Sequence, residues 1–212
     1  MRIVNVLCAV VLIAGAGLAA NAEAQARTFR IRNDGGSRIQ FISDAPLETI
    51  TGVSTHVTGE LEADVNDATA MRGTVRVRVA SLRTGIDLRD EHLRAPNWLD
   101  SARWPDVTFE VTRIEGAGRL APNQVANLRV HGRFSLHGVT RDLVANAQVR
   151  YIPLTDELRA NHVDGDVIRV QASFRVLLTD YNVSVPLPVR LKVANEIRVN
   201  VTLRAIASPS AG

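Results

Sequence analysis

The strongest constraint on this chain is a two-residue rhythm in which small apolar side chains alternate with polar ones, often arginine. In "GTVRVRVASL" Val75, Val77 and Val79 fall on one face and Arg76 and Arg78 on the other. "DVTFEVTRI" aligns Val107, Phe109 and Val111, and "NLRVHGRFSLHG" aligns Leu128, Val130, Phe134 and Leu136. "VIRVQASFRVLL" does the same with Ile168, Val170, Ala172, Phe174 and Val176. "NEIRVNVTLRA" follows with Ile197, Val199, Val201 and Leu203. Successive side chains of a strand point to opposite faces, so each segment reads as a half-buried antiparallel strand. Weaker examples at Arg38–Ser43, Val53–Leu61 and Leu143–Tyr151, with a short one near Phe29–Arg32, bring the total to about eight.

The strands are long: Leu128 to Leu136 would span about 30 Å at the usual rise per residue. Long strands with one apolar face must stack as a sandwich or close on themselves. Closure removes the edges, and a barrel of about eight strands has room inside for side chains or one small ligand. The expected fold is therefore an all-β, closed antiparallel barrel. Its inner face is mostly aliphatic, and aromatics make up only 4% of the chain, a composition that fills a barrel incompletely. The alternative is a β-sandwich, an interaction or stress-response module with a filled core and no ligand cavity.

The N-terminus is set apart from this pattern. Arg2 precedes the apolar run 3–20, which leads to two small-x-small sites, Ala20-Asn21-Ala22 and Ala24-Gln25-Ala26. That is the layout of a secretory signal peptide over residues 1–26, cleaved after Ala22 or Ala26. The sole cysteine, Cys8, lies within it, so the processed chain has neither disulfide nor thiolate chemistry. The barrel is expected over 27–206 and a flexible tail over 207–212.

Several function classes find no support. The net charge is +3, with arginines distributed along strand faces instead of a clustered stripe, so no nucleic-acid partner is expected. The five histidines complete no ligand set; His131 and His137 lie about 20 Å apart along a strand. No metal and no catalytic residues are therefore assigned, and the chain reads as a non-enzyme; no Gly-x-Ser-x-Gly elbow is present. An outer-membrane barrel would need aromatic girdles at both interfaces, which two Tyr and two Trp do not supply.

One stretch breaks the rhythm: "SLRTGIDLRDEHLRAPNWLDSARWPDVTFEV", residues 81–111. Around 86–102 it reads as a short helical insertion, started by a capping-box-like pair, Asp87 and Asp90, and stopped by Pro96. Arg89, Asp90, His92, Trp98 and Trp104 gather there. They form either a structural latch that plugs one barrel end or an anchor for a ligand's polar head. Charged groups near a helix start usually satisfy caps, which favours the latch. "YIPLTDELRANHVDGDV" (151–167) reads as a long hairpin loop.

At this point the residues resemble a known family. The stretch 81–111 resembles the first signature block of the YceI-like family, with Ser-x-x-Thr, Arg-Asp-x-His-Leu and an aromatic-Pro step. "VHGRFSLHGVTRDL" (130–143) is similar to the second block, and "LLTDYNVSVP" (177–186) to the third. Asn182 stands where the family has glycine; Asn tolerates a positive φ, so the turn survives. Ser43-Asp44 stands where many members carry a histidine motif. The resemblance implies a lipocalin-like periplasmic or secreted barrel that holds an apolar lipid, such as a polyisoprenoid, an isoprenoid quinone or a fatty amide, with no other cofactor. It also implies homodimers, and a lipid ligand implies transient membrane-surface contact. The expected ligand-binding lining is Val75, Val77, Val79, Phe109, Val111, Val130, Phe134, Val170, Phe174, Val199 and Val201.

Overall fold

The computed structural model describes residues 26–208. Residues 1–25, which hold Cys8 and all but the last residue of the expected signal peptide, lie outside the described residues, as do the last four. Ten strand segments form one antiparallel sheet: β1 (Arg27–Ile31), β2 (Arg38–Asp44), β3 (Thr49–Ser54), β4 (Val57–Asp64), β5 (Asp67–Arg78), β6 (Asp106–Gly116), β7 (Val125–Leu136), β8 (Val139–Ile152), β9 (Val167–Leu177) and β10 (Glu196–Ala207). They are joined in the order β1-β4-β5-β6-β7-β8-β9-β10-β2-β3, and β1 also pairs with β10. The sheet is therefore a ring, which excludes the two-sheet sandwich.

The ring has eight staves, two of them broken. β1 and β2 both lie along β10, Phe29 facing Ala207 and Arg38 facing Thr202. They also pair in turn with β4 and β3. The break between β1 and β2 is a loop pinned to β10. Asp34 accepts the Gly36 N–H at 2.9 Å and pairs with Arg204 at 2.9 Å, while Ser37 Oγ accepts the Arg204 N–H at 3.0 Å. The segment expected as one strand over Val53–Leu61 is interrupted at Thr55-His56, so it supplies the end of β3 and the start of β4.

Two further elements are short helices, α1 (Asp87–Arg94) and α2 (Asp156–Ala160). α2 sits inside the long loop expected over 151–167 and is capped by Thr155, whose hydroxyl accepts the Leu158 N–H. The capping-box expectation for α1 is corrected. Its N-cap is Ile86, with no side-chain cap. Asp90 turns back instead, and its Oδ1 accepts both the N–H and the hydroxyl of Thr84, at 2.7 and 2.6 Å. β10 extends to Ala207, one residue past the expected barrel boundary.

The alternation rule explains the inner face, and two irregularities adjust it. The β6–β7 register shifts between Val111 and Arg113, and the β4–β5 register between Glu62 and Asp64. The first shift carries Ile114 to the interior, 5% exposed, although its parity along β6 is opposite to that of Phe109. One barrel end is solidly packed: Phe29, Ile168 and Ala205 are fully buried, with Leu120 drawn in by its N–H bond to Val65 O. At its edge Asp166 accepts from Tyr151 Oη and the Leu154 N–H, both at 2.8 Å, and pairs with Arg27 at 2.6 Å.

Candidate functional site: a barrel hollow and its mouth

Buried side chains form two clusters, one at each end of the barrel, and Ile39, Val107, Phe109 and Val201 pack partly against both. Between the clusters lies a cavity of about 500 Å³, inside the usual range for small-molecule sites. Val130, Val170, Ala172 and Phe174 point inward yet are only half-buried, so no neighbouring side chain fills the space before them. Phe174 stacks at 6.4 Å on Phe109 and meets Phe134 edge-on at 5.5 Å, which puts an aromatic wall on one side.

Ten of the eleven expected lining residues stand on this wall: Val75, Val77, Phe109, Val111, Val130, Phe134, Val170, Phe174, Val199 and Val201. Val79 does not. The strand ends at Arg78, and Val79 opens a 3-10 turn whose N–H bonds Pro105 O, which buries its side chain in the packing behind the wall.

The wall is apolar except near its mouth. There, besides Thr108 on β6, the polar side chains are Ser43, Glu48, Thr84, Arg89, His92 and Lys192. Arg89 Nε donates to Thr84 Oγ1 at 2.9 Å, and its Nη1 reaches Glu48 Oε1 at 2.7 Å. Asp90, 2% exposed, holds Thr84 from the other side. Arg89 and Asp90 therefore tie α1 to the preceding loop, and Arg89 ties it to the turn after β2. His92 and Trp98 face the cavity beside Arg89; Asp90 and Trp104 do not line it. Trp104 packs instead over the β7–β8 turn: a Cβ on Gly138 would come within 2.5 Å of its ring.

That turn joins distant sequence. His137 (φ 49°) and Gly138 (φ 76°) form the two-residue, double-positive-φ hairpin loop that matches strand twist. His137 Nδ1 lies 3.1 Å from Tyr181 O, Arg141 Nε donates to Asp180 O at 2.9 Å, and Phe134 packs edge-on against Tyr181 at 5.5 Å. Asn182 ends the turn with φ 58°. Burial pushes the Tyr181 hydroxyl up from its usual pKa, and the Asp180 charge adds to the effect. The three motif stretches, 81–111, 130–143 and 177–186, thus meet at the mouth end of one cavity.

Sequence reasoning missed Glu48 and Lys192. They are 144 positions apart, and no local pattern signals either; the 2.8 Å bond from Leu47 N to Leu191 O joins their loops. Among the described residues, no three His, Cys, Asp or Glu side chains are placed to share a metal ion.

Residues 30–205 match the family model described as a YceI-like domain. A UPF0312 protein of Shewanella baltica is 28% identical over 135 residues, 63% of this chain and 68% of that protein. One from Pseudomonas fluorescens is 30% identical over 106 residues, half of this chain and 53% of that one. Among solved structures, BcnA of Burkholderia cenocepacia superposes with a TM-score of 0.65 at 16% identity, over 82% of this chain and 98% of its own. A Saccharophagus degradans protein, described as a polyisoprenoid binding domain implicated in plant cell wall breakdown, gives 0.65 at 18% identity, over 86% and 99%. At such identities these likenesses concern the fold.

Proposed function

From a chain that belongs to the YceI-like family, we propose a carrier that holds the apolar chain of a lipid inside the barrel and performs no chemistry on it. The observation that carries this reading is the hollow itself: inward Val, Phe and Ala side chains left half-buried around about 500 Å³. A folded core does not leave such surface unpaired without a use, because interiors normally reach close packing. A long hydrocarbon gains roughly 25 cal/mol per Å² of apolar area removed from water. That supports micromolar or tighter binding after ordering costs.

The wall supplies shape with almost no directional bonds, so it suits a chain more than a ring system rich in polar groups. A polyisoprenoid, an isoprenoid quinone or a fatty amide has the right chemistry, and the Saccharophagus neighbour's description points the same way. Arg89 and Asp90 serve the mouth as a latch, their hydrogen bonds already committed to Thr84 and Glu48. We assign His92 and Lys192, on the same wall, to meeting a polar head. We place the carrier in the periplasm or outside the cell, on the strength of the N-terminal sequence.

Purified protein analysed by native mass spectrometry, before and after organic extraction, tests the proposal. A bound species of long-chain lipid mass that extraction removes is the expected result. Protein that arrives empty, and that takes up neither an isoprenoid alcohol nor a fatty amide when offered them, overturns it.

A further inference from the structure

Eight large hydrophobic side chains are notably exposed among the described residues, and they are not scattered evenly. Five of them, Leu47, Ile86, Leu88, Leu187 and Leu191, are between 52% and 75% exposed, and all lie on the three segments that frame the cavity mouth. The segments are physically joined. Leu47 N donates to Leu191 O at 2.8 Å, and Arg89 beside Leu88 pairs with Glu48 beside Leu47 at 2.7 Å. Ile86 and Leu88 also belong to the cavity wall, so the exposed apolar surface runs without interruption from outside to inside.

We infer that this rim is a docking surface for a lipid bilayer, through which the carrier loads and releases its chain; the inference rests on the carrier reading above. Clustered exposed apolar groups in a water-facing protein mark an interaction site. Their continuity with an apolar cavity identifies the partner as the phase where an apolar chain resides. Charge makes the same choice. The segment 187–192, "LPVRLK", interleaves Leu187, Val189 and Leu191 with Arg190 and Lys192, and no acidic residue occurs between Val183 and Ala194. Leucines beside cations are the composition of interfacial segments that settle into anionic headgroups. A second copy of this chain is the poorer occupant, because a two-fold contact through the same patch would bring its own Arg190 and Lys192 together. On α1, Asp87 and Glu91 offset Arg89 and Arg94, so the 187–192 loop carries the electrostatic part of the contact.

The test uses vesicles of phosphatidylcholine, with and without phosphatidylglycerol, and the variant Leu187→Asp/Leu191→Asp. Neither side chain lines the cavity, so uptake of an isoprenoid alcohol in detergent-free solution should be unchanged. Vesicle binding measured by flotation should be stronger with phosphatidylglycerol and should weaken with salt. In the double variant it should fall by more than about tenfold, since two inserted leucines are lost. Unchanged vesicle binding in the variant, or no binding by the parent protein, overturns the docking inference. So does a dimer in solution that the double variant converts to monomer, since the rim is then a subunit interface. Chain uptake reads the carrier proposal separately: if uptake persists without vesicle binding, only the docking inference falls.

Discussion

The two ends of the barrel are made from the same strands and solve opposite problems. At the closed end, Phe29, Ile168 and Ala205 are fully buried, and the polar groups at its edge, Arg27, Asp166 and Tyr151, satisfy one another. At the mouth end, leucines stand in water, inward aromatics face space, and polar side chains gather around the opening. The closed end is built as a core, and its side chains are worth what close packing makes them worth. The mouth end gives up packing and exposes apolar surface, the signature of a region kept for binding. Stability and ligand binding should therefore separate along the barrel axis.

The largest effect should come from the closed end. Phe29→Ala removes a fully buried ring and should destabilise the protein by about 3–5 kcal/mol. Chemical unfolding measures this, and the fraction still folded should keep its lipid. If lipid is lost while stability is little changed, the division between the ends is wrong. Next comes the latch. Asp90→Ala leaves the half-buried Thr84 N–H and hydroxyl without their acceptor, which should cost about 1–3 kcal/mol. Hydrogen exchange should then show local opening at 82–95 and little change at β1 or β9.

The closed end should also carry a pH signature. Burial alone would raise the Asp166 carboxyl. The hydrogen bonds from Leu154 N–H, Tyr151 and Arg27, with the Arg27 charge, together outweigh it and hold the group below the usual aspartate value. Its stabilising contribution is then fully present above about pH 4, the ordinary range of an unfolded aspartate, and is lost as the pH falls through the lowered folded value. Urea unfolding at pH 7 and pH 3 should show a steeper acid loss for the parent protein than for Asp166→Asn. Equal losses would remove Asp166 from the account. The smallest effects belong to the mouth's partly exposed polar side chains. Arg89→Ala should lower stability by about 1 kcal/mol, and His92→Ala by less, with lipid co-purifying in both. Lipid loss at full stability would make the cluster a head-group anchor instead of a latch.

The same contrast explains what could be read from sequence. The closed end and the barrel wall obey alternation, a local rule, so Val75, Val77, Phe109 and Val199 could be assigned inward from their neighbours alone. The rule failed where the strand itself stopped. Val79 has the parity of Val77 but follows a turn, and alternation contains no signal for where a strand ends. It also passed over the break at Thr55-His56 and the register shift that carries Ile114 inward. The mouth depends on loops brought together by the closed ring, such as Glu48 against Arg89 and Leu47 against Leu191. The motif stretches hinted at that region, since they supplied Arg89, Asp90 and His92. That the three stretches converge became visible only in three dimensions. The Asp87–Asp90 spacing fits a capping box equally well, but Asp90 Oδ1 is taken by the N–H and hydroxyl of Thr84, a contact the spacing does not signal.

The central claim is that the barrel is hollow in order to hold a chain, and filling the hollow tests it most directly. Ala172 is a half-buried wall residue, paired across the sheet with Ala147 and Val201. Ala172→Trp would place an indole in the cavity. In a packed core such an insertion costs about 1–3 kcal/mol. Here stability should hold or rise, while uptake of a long-chain isoprenoid, followed by native mass spectrometry, should disappear. Undiminished uptake in a folded Ala172→Trp protein would contradict the claim.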